Sequence, residues 1–166
     1  FSDEEAVREI VDGCVRALGI DDSGTHIELK FAADGAKVME VGARLGGDRI
    51  TSDLVPLSTG TDLMEAAILI ALGVTPNVER KWRRGAAIRY AVVPAGRVVA
   101  VGGVDSARSV KGVTDVQVDA SVGDVIPELE SSADRVVHVV AGGATASEAA
   151  AAAEEALSKI RIEVTK

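Results

Sequence analysis

Aromatic residues are almost missing from this chain: Phe1, Phe31, Trp82 and Tyr90 make up 2% of its 166 residues. That is too few for the stacking platforms on which single-stranded nucleic acid is held. Positive charge is short as well, with a formal net charge of −8, so a phosphate backbone would be repelled. No nucleic-acid partner is therefore expected. No apolar run approaches the roughly 20 residues needed to cross a bilayer. No membrane partner is expected either, and with no secretory signal pattern a cytoplasmic location is the default expectation. Cysteine occurs once. Cys14 can form no disulfide within the chain and no cysteine-based zinc site. It shares a helical stripe with Val7, Ile10, Val11, Val15 and Leu18, and reads as core filling. The initiator methionine is also missing from the opening "FSDEEAV", so a processed protein or a piece of a longer one is expected.

The hydrophobic fraction is 47%, mostly Ala, Val, Leu and Ile, which suffices for one domain or two small ones. Ser2 and Glu5 form a capping box for a first helix ending at Gly19. Thr25 to Ala32 and Ala36 to Val41 alternate like strands around "ADG" and predict a hairpin. A glycine-containing loop with a short helical turn follows. Asp62 and Glu65 then cap the apolar helix "LMEAAILIALG". The basic stretch "NVERKWRRG" reads as a surface connection, with Trp82 either a docking spot or a hinge packing residue. It divides the chain into residues 1–83 and 84–166. Beyond it come four short strand-like runs. An Ala-rich helix capped by Thr145 and Glu148 follows, then a possible edge strand "RIEV". The fold class is α+β, the second part being antiparallel strands covered by one helix. His138, within a Val-rich strand, reads as structural.

The chemistry concentrates in "HIELKFAADGAKVMEVGARLGGD", residues 26 to 48. A three-residue loop Ala33-Asp34-Gly35 pairs Ala32 with Ala36, Lys30 with Val38 and Glu28 with Glu40. A two-residue Asp34-Gly35 turn would instead pair Leu29 with Glu40. Opposed carboxylates repel unless solvated or bridged by a cation. Two carboxylates suit Mg²⁺, which keeps other positions for waters and phosphates. Arg44 offers a planar fork for phosphate or carboxylate, and Gly46 and Gly47 let backbone N–H groups approach an anion. The alternative is an exposed hairpin face on which both glutamates are simply solvated.

In this order of glutamates, arginine, glycines and the helix "TGTDLMEAAILIALG", the chain resembles the ATP-grasp ligases, most closely the L-amino acid ligase-like members. "HVVAGGATASEAAAAAEEAL" resembles the end of their C-terminal subdomain. The resemblance implies the C-terminal half of an ATP-grasp fold in residues 1–83 and a small α+β subdomain in residues 84–166. It implies Mg-ATP, with Mn²⁺ able to replace Mg²⁺. It also implies small-molecule carboxylate and amine substrates joined through an acyl phosphate. By resemblance Glu28 and Glu40 hold the metal and nucleotide phosphates, and Met39 packs on the adenine or in the core. Arg44 binds the acyl phosphate or substrate carboxylate, and the Gly47 N–H stabilises the oxyanion. Many members carry Asn two residues after the second glutamate. Gly42 stands there, as a small residue often does in the amino-acid-ligase-like members, and a full second metal site is not implied. The family's ATP-binding lysines, adenine hinge and glycine-rich lid lie upstream of this hairpin and are not among these residues. A part of this kind is expected to make no product alone and to self-associate through apolar surface. A biotin-carboxylase-like component shares the paired glutamates, but "LGGDRITSDLV" does not resemble its continuation. A non-catalytic regulatory or scaffolding domain is the alternative from another class.

Overall fold

The computed structural model describes residues 4–165, so Ser2 and its expected capping box lie outside the described residues. Helix α1 (Glu4–Leu18) carries Glu4 and Glu5 in its first turn and Arg16 in its last, the charge order that the helix dipole favours. Its apolar stripe is only half buried. Cys14 shares that intermediate exposure, so it fills no closed core.

The chain forms two compact units. The first runs to Pro56 and includes Thr61–Glu79; the second is Leu57–Gly60 and everything from Arg80 on. In the first, α1 is followed by the antiparallel hairpin β1 (His26–Ala32) and β2 (Gly35–Gly42). A π-helical turn at Ile50–Leu54 leads into α2 (Val55–Thr59), whose residues from Leu57 on belong to the second unit, and α3 spans Leu63–Ala71. Asp62 caps α3 as its sequence predicts, its carboxylate accepting from the N–H groups of Met64 and Glu65 at 2.9 Å. Asn, Asp, Ser and Thr caps of this kind stabilise a helix by about 0.5–2 kcal/mol over alanine.

In the second unit the strands are β3 (Gly85–Tyr90), β4 (Gly96–Gly102), β5 (Val113–Val118), β6 (Val125–Ile126), β7 (Val137–Gly143) and β8 (Arg161–Thr165). They make two three-stranded antiparallel sheets, ordered β3-β7-β5 and β6-β4-β8. The short helix α4 (Val104–Arg108) and the strand β6 have no counterpart in the sequence reading. Helix α5 (Ala146–Lys159) covers the first sheet. Ala149, Ala153 and Ala156 are wholly buried against Val139, Ala141 and Ala87. Small residues on both sides let helix and sheet approach closely, and each buried Val adds about 1.5–3 kcal/mol. Thr145 caps α5 by accepting from the Glu148 N–H at 3.2 Å. Gly103 has φ 80°, and a Cβ there would stand 1.8 Å from the Lys159 carbonyl oxygen, so only glycine passes.

Leu57–Gly60 belongs to the second unit because the connection is tied to it. The N–H groups of Lys81 and Trp82 donate to the Thr59 carbonyl at 2.8 and 3.2 Å, and that of Arg84 to Ser58 at 2.9 Å. The Trp82 indole N–H donates to the Leu57 carbonyl at 3.0 Å, and Arg84 lies over its ring at 5.0 Å. Trp82 thus packs on the connecting segment while staying 39% exposed. His138 is structural, 3.5 Å from Asp115 and tilted against Tyr90.

Candidate functional site

The hairpin closes on a two-residue turn, Ala33–Asp34, with Ala32 opposite Gly35. Neither turn considered from sequence is the one formed. Gly35 takes φ 110°, which side chains rarely adopt. From this turn the ladder pairs Phe31 with Ala36, Lys30 with Lys37 and Leu29 with Val38, so the expected pairs Lys30–Val38 and Ala32–Ala36 are replaced. Continued without interruption, the ladder would set Glu28 against Met39. Instead the register shifts between Glu28 and Leu29, and Glu28 faces Glu40. Met39 is the extra residue of a β-bulge, a device that re-aims side chains beside functional sites. It is 62% exposed and packs in no core.

Directly opposed residues share a face with Cβ atoms about 4.5–5.5 Å apart. The two carboxylates are half open to solvent, at 55% for Glu28 and 52% for Glu40. Each has one oxygen engaged. His26 Nε2 donates to Glu28 Oε1 at 3.2 Å, and Arg44 Nη2 donates to Glu40 Oε1 at 3.1 Å. Arg44 Nη1 also donates to the Leu45 carbonyl at 3.1 Å. Gly42 makes room for this fold-back, because a Cβ there would stand 3.3 Å from Arg44 Cγ and 3.5 Å from Nε.

The diglycine loop is fixed by residues that the sequence reading passed over. Asp48 and Arg49 hold left-handed backbone at φ 48° and 60°, costly for non-glycine residues and sustained only where neighbours over-determine it. Arg49 grips Asp53 with two parallel bonds, Nε to Oδ2 at 3.1 Å and Nη2 to Oδ1 at 3.0 Å. The Ile50 N–H donates to the Gly47 carbonyl at 2.8 Å. The buried Thr51 hydroxyl donates to the Gly46 carbonyl at 2.9 Å. Beside Gly47 the space is open, with nothing within 4 Å of a Cβ. The signal available was the i,i+4 pair Arg49–Asp53, and His26 two residues before Glu28 on one strand face.

Residues 89–165 match the family model for L-amino acid ligase C-terminal domain 2. The uncharacterised protein y4rH of Sinorhizobium fredii is 31% identical over 163 residues, which is 96% of this chain and 34% of y4rH. A phosphoribosylglycinamide synthetase from Anaerococcus prevotii superposes with a TM-score of 0.83 at 16% identity, over 97% of this chain and 42% of its own. An L-amino acid ligase from Bacillus licheniformis does so with a TM-score of 0.78 at 24% identity, over 98% and 42%. The chain therefore has the fold that such ligases carry in their C-terminal part. The chain spans well under half the length of these relatives.

Glu28, Glu40, Met39, Arg44 and Gly47 all fall in the first unit, on the hairpin and the loop after it. Among the described residues no group of three or more His, Cys, Asp or Glu could cage a metal. Two opposed carboxylates are still the donor set that suits Mg²⁺ or Mn²⁺ shared with phosphate oxygens. A cleft of about 460 Å³ in the same unit is lined by Asp22, Ser23, Ile70 and Gly73 to Pro76. It lacks the convergent charges of the hairpin site. Among the described residues no single helix is long and apolar enough to cross a membrane.

Proposed function

We propose that this chain supplies the metal-binding hairpin and anion loop of an ATP-dependent ligase that joins a small carboxylate to an amine through an acyl phosphate. One observation carries the reading. Glu28 and Glu40 face each other across the hairpin with Arg44 folded onto Glu40, just before the Gly46–Gly47 loop whose carbonyls are hydrogen-bonded. Residues 1–83 form the catalytic half and residues 84–166 the C-terminal subdomain. Glu28 and Glu40 would hold Mg²⁺ or Mn²⁺ for the nucleotide phosphates. The metal supplies charge neutralisation for phosphoryl transfer. Met39, lifted out of the ladder by the bulge, offers an apolar surface to the adenine. Arg44 is half exposed and its one ion pair is the i,i+4 contact to Glu40, so its fork can turn from Glu40 to an acyl phosphate or substrate carboxylate. The Gly47 N–H stabilises the oxyanion, where one removed donor typically costs about 100-fold or more in rate.

The test uses the protein at the full length of its relatives, assayed for ADP release against pairs of amino acids with Mg²⁺. Release is expected only when both a carboxylate and an amine partner are present. Arg44→Lys keeps the charge but loses the fork. It is expected to lower kcat/KM at least about tenfold, roughly 1.4 kcal/mol of transition-state stabilisation. ATP turnover with no pair, or an unchanged rate in R44K, would refute the proposal. The 166-residue chain by itself is expected to show no measurable ATP binding by calorimetry and only weak Mg²⁺ binding.

A further inference from the structure

His26 stands between the two halves of the site. It shares the strand face of Glu28 and is paired with Gly42 across the hairpin. Its Nε2 lies 3.2 Å from Glu28 Oε1, and since an ionised carboxylate only accepts, the proton is on Nε2. The other ring nitrogen faces the diglycine loop. A Cβ built on Gly46 would stand 3.0 Å from His26 Nδ1 and 3.6 Å from Cε1. The ring is the sheltered member of its pair, 19% exposed against 55% for Glu28. A second fit presses the loop onto the start of β1, since a Cβ on Gly24 would meet Leu45 Cδ2 at 2.5 Å. The Gly46 carbonyl is held in turn by the buried Thr51 hydroxyl.

We infer that His26 is a positioning residue that ties Glu28 to the Gly46–Gly47 loop, fixing the metal carboxylate and the anion loop relative to each other. This rests on the metal reading of Glu28 and Glu40 given above. The hydrogen bond turns the Glu28 carboxylate and fixes its free oxygen. The ring's contact with Gly46 makes the loop feel any movement of that carboxylate. Groups that orient metal ligands in this way commonly contribute about 10–100-fold to metal affinity.

The test is Mn²⁺ titration of the intact chain, followed by paramagnetic broadening of backbone amide signals. In the parent, Mn²⁺ is expected to broaden the amides of Glu28 and Glu40 together with those of Gly46 and Gly47. His26→Phe keeps a ring but no donor and is expected to weaken Mn²⁺ binding about tenfold. His26→Gln restores a donor of similar reach and is expected to recover most of it. Recovery by Gln excludes simple loss of packing. Gly46→Ala crowds Nδ1, and is expected to weaken binding in the parent but little further in His26→Ala, a non-additivity that reports direct coupling. Parent-like Mn²⁺ binding by His26→Phe, or strict additivity with Gly46→Ala, would overturn the inference alone. No broadening at either glutamate in the parent would overturn the metal reading, and this inference with it.

Discussion

Replacing Glu28 with Gln is expected to stabilise the hairpin without metal and to destabilise it, relative to the parent, with metal. The opposed carboxylates stand about 5–6 Å apart, given ladder geometry. At that distance their repulsion is about 0.8 kcal/mol in a medium like water and about 3 kcal/mol at an effective dielectric constant of about 20. Both groups are half exposed, so the true value lies near the lower figure, about 1 kcal/mol. Gln still accepts from His26 but loses the charge assistance, a cost of about 0.5 kcal/mol. The net gain is then about 0.5 kcal/mol, roughly a twofold slowing of amide exchange at hairpin positions such as Leu29 and Val38. About 1 M salt shortens the screening length to about 3 Å and should erase the gain. With Mn²⁺ at about ten times its Kd the parent gains about 1.4 kcal/mol that the variant cannot, so the order reverses. Exchange that is faster in metal-free E28Q, or no reversal with Mn²⁺, would refute the claim that these two carboxylates oppose each other around a shared cation.

Three further outcomes follow from other parts of the molecule. Ala153 is wholly buried under α5, and Ala153→Leu should cost about 1–3 kcal/mol by overpacking; a parent-like denaturation midpoint for the second unit would contradict the close helix–sheet contact. Met64 and Ile68 on α3 and Leu72 at its C-cap are 50%, 62% and 71% exposed, so the chain should self-associate, and light scattering from a clean monomer at high concentration would count against that. The Ser131 hydroxyl and N–H, and then the Glu130 N–H, hold the Asp134 carboxyl below the usual range. Its folded value is the lower one, so its stabilisation is complete above the ordinary value near about 4 and is lost as pH falls through the folded value. Asp134→Asn should differ from the parent at pH near about 7 and converge with it in acid; equal stability at both ends would remove this contribution.

What could be read from sequence was local. Asp62 and Thr145 cap the helices they precede because a short polar side chain followed by an apolar repeat has few other uses. The opposition of Glu28 and Glu40 was also legible, though through the wrong turn. The turn considered and the bulge actually formed shift the ladder by compensating amounts. Nothing in "AKVMEV" marks Met39 as the unpaired residue, since a bulge is decided by the whole sheet and its surroundings. The left-handed pair Asp48–Arg49 was hidden for a related reason: such backbone is imposed by Thr51 and the Arg49–Asp53 pair, not preferred by the residues themselves. The division of the second unit's strands into two sheets depends on pairings between distant segments, such as Arg97 with Thr165, which no local pattern contains.

The bulge at Met39 also bears on how such sites are found in other sequences. The interval between the two acidic residues counts the turn and the bulge together, and neither belongs to the pair itself. Removing Met39 would let Leu29–Val38 and Glu28–Glu40 run on as one unbroken ladder, so a chain one residue shorter would oppose the same carboxylates. A search pattern that fixes this interval would discard such a chain, although its two glutamates meet just as these do. The invariant is the rung they share, and gaps at the bulge should be scored as neutral when hairpins of this kind are aligned.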